Sequence, residues 1–287
     1  MRWSLSTYLF RQAPLGARTL DQIIAAGFYS VEIYGDRGHF DYSNPSQLRE
    51  IAQWAASSPA KIGALHAPLS RVAHGTSPHS MLSITFLDRQ RRQDSMDEIK
   101  RALETAEYVP VKHLILHLGV DGEEFDLRKF DAALTSLEHL CLFAKQRGVQ
   151  ILIENIANEL STPPRLLEFF AHTHLRGVEV CLDTGHAQLD GKVVEAVETL
   201  GKRIAVAHLN DNNGTIDDHQ FPCAGSPGTP SNGPTKGIVP WRQVLEALRQ
   251  HTPEAVHTIE ARAAEAGGEA IDQARASRDQ LQQLAMG

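Results

Sequence analysis

The chain has 287 residues, 42% of them hydrophobic, and carries a formal net charge of −7 with a pI near 6.0. That length can close one large core and sits near the usual size of an α/β barrel, so a single domain over residues 1–287 is expected. The acidic balance gives no global positive field to attract a phosphate backbone, which disfavours nucleic acid as a partner. No run approaches the ~18 apolar residues that span a bilayer.

Cys141, Cys181 and Cys223 are an odd number, far apart, with no C-x-x-C pair. The amino-terminal MRWSLSTYLFRQ lacks the apolar run and cleavage site of a signal peptide. A reducing cytoplasm is the expected compartment, and a homo-oligomer is left open.

Short apolar runs alternate with segments of helical periodicity, the pattern of a parallel sheet covered by helices. In chain order the expected strands are Trp3–Tyr8, Ser30–Ile33, Ile62–His66, His113–His117, Ile151–Glu154, Val178–Asp183, Ile204–Leu209 and Val256–Glu260. Capping chemistry marks the helices between them. Asn44 before Pro45 and Thr162 before Pro163 start two, Pro240 precedes the apolar run at Trp241, and Gly27 and Gly148 end two others. The pattern predicts an α/β fold, a single (β/α)₈ barrel. The stretch 211–240, rich in Gly, Pro, Ser, Asn and Thr, is too long for an ordinary connection and is expected to be a loop covering the site.

Seven of these strands end at or next to an acid or a histidine: Glu32, His66, His117, Glu154, Asp183, His208 and Glu260. With 35 acids and 14 histidines in 287 residues, a three-residue window holds one roughly 43% of the time, so seven such ends occur by chance only about 1% of the time. Barrel strands converge at their C-terminal rim, where such groups share water or metal. Leu182-Asp183-Thr184-Gly185-His186 adds His186 after a turn, and the long loop adds Asp217 and His219. Carboxylate and imidazole together suit zinc or manganese, with magnesium, cobalt or iron as alternatives, and no cysteine cluster points to structural zinc.

The set Leu65-His66-Ala67-Pro68, Leu116-His117-Leu118-Gly119, Ile153-Glu154-Asn155, Leu182-Asp183-Thr184-Gly185-His186, His208-Leu209-Asn210-Asp211 and Ile259-Glu260 resembles the xylose isomerase-like barrel superfamily. That superfamily includes the tagatose and psicose 3-epimerase group and the endonuclease IV branch. The epimerase pattern implies that Glu154, Asp183, His208 and Glu260 hold one metal, that the two glutamates act as acid and base, and that His186 touches substrate. The endonuclease IV pattern adds His66, His117, His186, Asp217 and His219, for three zinc ions. Against the nuclease stand the acidic charge and the lack of basic and apolar residues suited to gripping a bent duplex. Against the epimerase group stands Asp217-Asp218-His219 where an arginine is common.

The bland readings are helix caps and solvated charges for the loop acids, a hydrogen-bonded core histidine for His113, and a solvated helix face for Arg89, Arg91 and Arg92 beside Asp88 and Asp94. Trp3, Tyr8 and Phe10 read as core or as an apolar wall against substrate, and Trp3 and Glu32 join His186 as candidate substrate contacts. The sequence therefore predicts a metal-dependent isomerase or epimerase acting on a small sugar, polyol or keto compound through an ene-diolate. A zinc phosphodiester hydrolase acting on abasic DNA is the alternative, and a barrel that binds without turnover is a third.

Overall fold

Strands pair in chain order and the last pairs with the first: β1 (Arg2–Ser6), β2 (Ser30–Tyr34), β3 (Lys61–His66), β4 (Val111–His117), β5 (Gln150–Glu154), β6 (Glu179–Asp183), β7 (Ile204–Leu209) and β8 (Val256–Ile259) form a closed, all-parallel barrel. Around it run α1 (Ala17–Ala25), α2 (Pro45–Ser57), α3 (Arg89–Leu103), α4 (Leu127–Lys145), α5 (Pro163–His172), α6 (Thr184–Leu189), α7 (Val193–Leu200), α8 (Trp241–His251) and α9 (Gly268–Met286). This computed structural model describes residues 1–172, 177–223, 237–263 and 268–286. Among them no helix is long and apolar enough to cross a membrane.

Alternation along each strand decides what the barrel holds. One parity faces the helices: Leu5, Val31, Leu65, Leu114, Ile153, Leu182 and Leu209 belong to one large buried cluster with the helix side chains. The other parity faces inward, and Ala64, Ile115, Leu152, Cys181 and Val206 form a separate small cluster inside the barrel. Two residues further along the same strands stand His66, His117, Glu154, Asp183 and His208. Two bulges keep this parity. Gly63 is skipped where Val31 pairs with Ile62 and Glu32 with Ala64, and Ala205 is skipped where Val180 pairs with Ile204 and Cys181 with Val206.

The expected caps form. Asn44 Oδ1 accepts from the Ser46 and Gln47 amides with Pro45 at the first helical position, Pro163 and Pro240 sit at the starts of α5 and α8, and Gly27 and Gly148 take φ of +86° and +69° past α1 and α4. Asp88 caps α3 through the Arg91 amide, so Arg89, Arg91 and Arg92 belong to that helix's first turn. The first strand ends earlier than expected. Ser6 accepts from the Tyr8 amide and starts a 3₁₀ turn over Thr7–Phe10, which carries Tyr8 over the barrel mouth.

The ends of the 211–240 stretch are tied together by one side chain. Asp211 Oδ1 accepts from the Ile238 and Val239 amides at 2.8 and 2.9 Å, and its Oδ2 accepts from Trp241 Nε1 at 2.7 Å. A Cβ at Gly237 would collide with that carboxylate. Of the expected covering loop, 211–240, residues 224–236 lie outside the described residues.

Three histidines are buried as neutral rings away from the strand ends. Burial pulls His39, His113 and His257 from 6.5 down to about 4. His113 is in the core as expected, yet its Nε2 lacks the hydrogen-bond partner expected for it. Because the unfolded chain binds these protons at higher pH than the folded one, each ring contributes stability that is complete above about pH 6.5 and is lost as pH falls toward 4. Each group gives a slope of about 1.4 kcal/mol per pH unit within that window. Urea unfolding of wild type and of His257→Asn at several pH values should therefore show a shallower acid slope for the variant by about that amount, and parallel profiles would show that His257 is not neutral in the fold.

Candidate metal centre

Glu154, at the end of β5 and 1% exposed, is the junction of the site. Its Oε2 lies 3.1 Å from His66 Nε2 and 3.3 Å from His117 Nε2, and its Oε1 lies 3.1 Å from His208 Nδ1. The same His208 Nδ1 is 3.0 Å from Glu260 Oε2, and the Nε2 of that ring is 2.9 Å from Glu32 Oε2. A little further out, Asp217 Oδ2 sits 3.3 Å from His186 Nε2 and 3.1 Å from His219 Nε2.

These contacts resolve into three ligand groups whose donor atoms lie within 4.8 Å of one another: His66, His117 and Glu154; Glu154, Asp183, His208 and Glu260; and His186, Asp217 and His219. The structure thus brings together all nine of the residues expected to hold metal. Glu32 joins them through His208. Trp3 is placed elsewhere: its parity turns it toward the helices, where its ring lies 5.6 Å from that of His257, so it does not line the cup. Phe10 is in the same outer core.

Local chemistry explains how β6 serves two groups at once. Asp183 caps α6, accepting from the His186 amide at 2.7 Å through Oδ1, while Asn210 Nδ2 donates to its Oδ2 at 2.6 Å. That cap turns the chain so that His186 faces the cup, with Nδ1 held 2.9 Å from the Asn155 carbonyl. A Cβ at position 185 would collide with Asn210 Oδ1, so glycine is required between Thr184 and His186. His219 takes a left-handed backbone, φ 47°, uncommon for a residue with a side chain, and this aims its ring at Asp217.

Burial would raise the Glu154 and Glu260 carboxyls, but the His208 imidazole and its neighbours hold both below the usual range. Burial likewise opposes charge on the histidines, yet the carboxylates overrule it: His66 is held at about 9, and His186, His208 and His219 also lie above their ordinary value. Protons on imidazoles thus balance the carboxylates in the metal-free chain. Divalent cations balance the same charge when the rings bind as neutral ligands. Glu32 Oε1 and Asp217 Oδ1, buried without partners, are further oxygen donors in a set made of nitrogen and oxygen, so the residues fit zinc, manganese or a similar ion. Cys181 also comes within reach of Glu154 and His208, but burial keeps its thiol protonated.

Over the cup is a cavity of about 100 Å³ walled by Tyr8, Tyr34, Leu69, Asp121 and Arg262. Tyr8 and Tyr34 pack edge to face with ring centroids 4.9 Å apart, and Arg262 Nε donates to the Tyr8 hydroxyl at 2.6 Å. Of these walls only Tyr8 was expected from sequence. Tyr34 lies two residues past Glu32 on the same strand face, so alternation carried far enough would have found it. Arg262 lies beyond the last strand, where no periodicity applies.

The sequence profile described as xylose isomerase-like TIM barrel matches residues 20–284, and the chain belongs to that family. An uncharacterized protein of Methanocaldococcus jannaschii is 30% identical over 143 residues, 50% of this chain and 57% of that one, so the match spans little more than half of the relative. A D-tagatose 3-epimerase-like protein superposes with a TM-score of 0.78 at 21% identity, over 100% of this chain and 98% of its own. The IolI protein with a bound zinc atom gives 0.78 at 18%, over 98% of both chains. At such identities the superpositions establish the shared fold.

After exhaustive dialysis the purified protein should retain at least one equivalent of transition metal by elemental analysis, and up to three if every group fills. Less than about a tenth of an equivalent, with no rise in melting temperature on adding zinc or manganese, would show that the cup is not a metal centre.

Proposed function

We propose that this member of the xylose isomerase-like TIM barrel family is a metal-dependent isomerase or epimerase of a small sugar or sugar-like polyol or keto compound. The observation that carries the reading is the approach of Glu154 and Glu260 to one position, 3.1 and 3.0 Å from His208 Nδ1, from strands three steps apart around the barrel. Two carboxylates that approach one position from different strands suit removal of a proton from one face of a carbon by the ionised group and return of a proton to the other face by its partner once protonated. The likeness to a tagatose 3-epimerase-like protein points the same way.

Glu154, Asp183, His208 and Glu260 would hold the principal cation, which when bound polarises a carbonyl and favours the ene-diolate over the neutral sugar. The ionised form of one glutamate takes the proton next to the carbonyl, and the other, after taking up a proton from solvent, delivers it to the opposite face. Burial keeps the Tyr8 and Tyr34 phenols protonated, so both offer O–H donors to sugar oxygens, and Tyr8 is steadied by Arg262. His186, in contact with both Asp183 and Asp217, is placed to meet a substrate hydroxyl. The walls over the cup leave room for a small polar molecule, and the aromatic rings exclude water from the reacting carbon.

One observation favours a second reading. Three ligand groups, two of them sharing Glu154, are more than a single cation needs and suit the three-zinc phosphodiester hydrolase. The narrow cavity and the net charge of −7 weigh against a duplex substrate.

Turnover in heavy water separates the two. An epimerase or isomerase working through the paired glutamates should place deuterium on the substrate carbon, and Glu154→Gln or Glu260→Gln should cut kcat/KM by at least ~10², with metal content measured alongside. Sugar turnover without deuterium uptake would favour a hydride shift or shielded transfer, and cleavage of an abasic strand alone would replace this reading with the second.

A further inference from the structure

We propose that the N-terminal mouth of the barrel, at the end opposite the metal centre, is a binding site for a small tetrahedral oxyanion of the phosphate type. A cavity of about 210 Å³ opens there and runs into the barrel as far as Ala64 and Val206, the layer beneath the cup. Its rim carries Arg2 and Lys61, the first residues of β1 and β3, and Lys112, the second of β4. Its wall carries the hydroxyls of Ser30 and Thr258, residues only 3% and 1% exposed whose side chains have no partner in the described chain.

Neither hydroxyl is engaged by another group of the described chain, so both are free to donate to a polar occupant of the cavity. The charges around them set its sign. Arg2 shares its guanidinium with Glu254 at 3.5 Å, but among the described residues Lys61 and Lys112 form no ion pair and no acid lines the cavity. In a chain of net charge −7 this is a local reversal. The nearby imidazoles register it: burial first, then Lys112 and Arg2, keep His113 neutral, and burial, then the amino terminus and Arg2, do the same for His257. A compact oxyanion accepts hydrogen bonds from hydroxyls and ammonium groups together, as this cavity offers them. Small side chains, Ser4, Ser30, Gly63 and Ala64, stand among the lining residues and leave room in the barrel interior at this end. The site stands on other residues than the metal cup, so it does not depend on the reaction proposed above.

The test follows the melting temperature of the purified, metal-loaded protein during titration with sodium phosphate, against sodium chloride at equal ionic strength. Phosphate should raise it and chloride should not. In Lys61→Gln/Lys112→Gln the apparent affinity should fall at least ten-fold, and in Thr258→Val, which keeps shape and charge, several-fold, with metal content unchanged in both. Glycerol phosphate in place of phosphate tells whether the pocket takes a free ion or the phosphate of a larger molecule. No rise with either compound, an equal rise with chloride, or an undiminished rise in both variants, which would put the ion at the metal cup, would overturn the proposal.

Discussion

Five carboxylates and five imidazoles meet at the C-terminal end of the barrel, and the surrounding structure is organised by the need to keep that charge balanced away from water. An isolated buried carboxylate is among the costliest groups a fold can hold. Glu154 is tolerable at 1% exposure because His66, His117 and His208 surround it, and His208 is tolerable because Glu32 and Glu260 flank it in turn. Removing Glu154 would take the shared partner from His66, His117 and His208 at once. The network is therefore both a candidate ligand set and a structural cost, offset by protons on the imidazoles in the bare chain.

A layer behind these residues fixes where they point. Asn155 holds the Asp183 main chain in both directions, Thr184 bridges the His208 and Asn210 carbonyls, and Asn210 holds the Asp183 side chain. The glycine at 185 lets Asn210 pass close by. Such supporting contacts hold ligands in register so that little reorganisation is needed during reaction. Asp211, although it stands three residues after the candidate ligand His208, acts differently: it ties residues 238, 239 and 241 to the end of β7.

The two ends of the barrel contrast. At the C-terminal end the inward positions are ionisable and crowded; at the N-terminal end the cavity is lined by Ser4, Ser30, Gly63, His113 and Thr258 under a rim of basic residues. Between them lies the apolar layer of Ala64, Ile115, Leu152, Cys181 and Val206. This layer shuts water from below and lowers the effective dielectric around the carboxylates, which strengthens every interaction in the cup.

The sequence by itself determined the strands, most of the helix caps and the nine ligand candidates, because these depend on local rules. Apolar runs make strands, Asn44-Pro45 and Pro240 start helices, and a strand-end acid or histidine stands out against the apolar run it terminates. The strand-end candidates were legible because each strand was read alone and barrel closure needs no further instruction to bring the ends together, whereas His186, Asp217 and His219 lie past the strands and joined the set through the family resemblance. Only the tertiary structure decided how the ligands divide, with Glu154 shared between two groups and His186 paired to Asp217 rather than only to Asp183. It also decided which aromatic faces the cup. Trp3 and Tyr8 are alike in sequence terms, but strand parity sends Trp3 outward, while the turn capped by Ser6 ends the strand and lifts Tyr8 over the mouth. Arg262 was not legible because its place is set by contacts with Tyr8 and the His219 carbonyl, residues distant in the chain. Local propensity is written within a few residues of where it acts, whereas the partner of a side chain across the barrel is chosen by closure, register and the bulges at Gly63 and Ala205, which no short window of sequence contains.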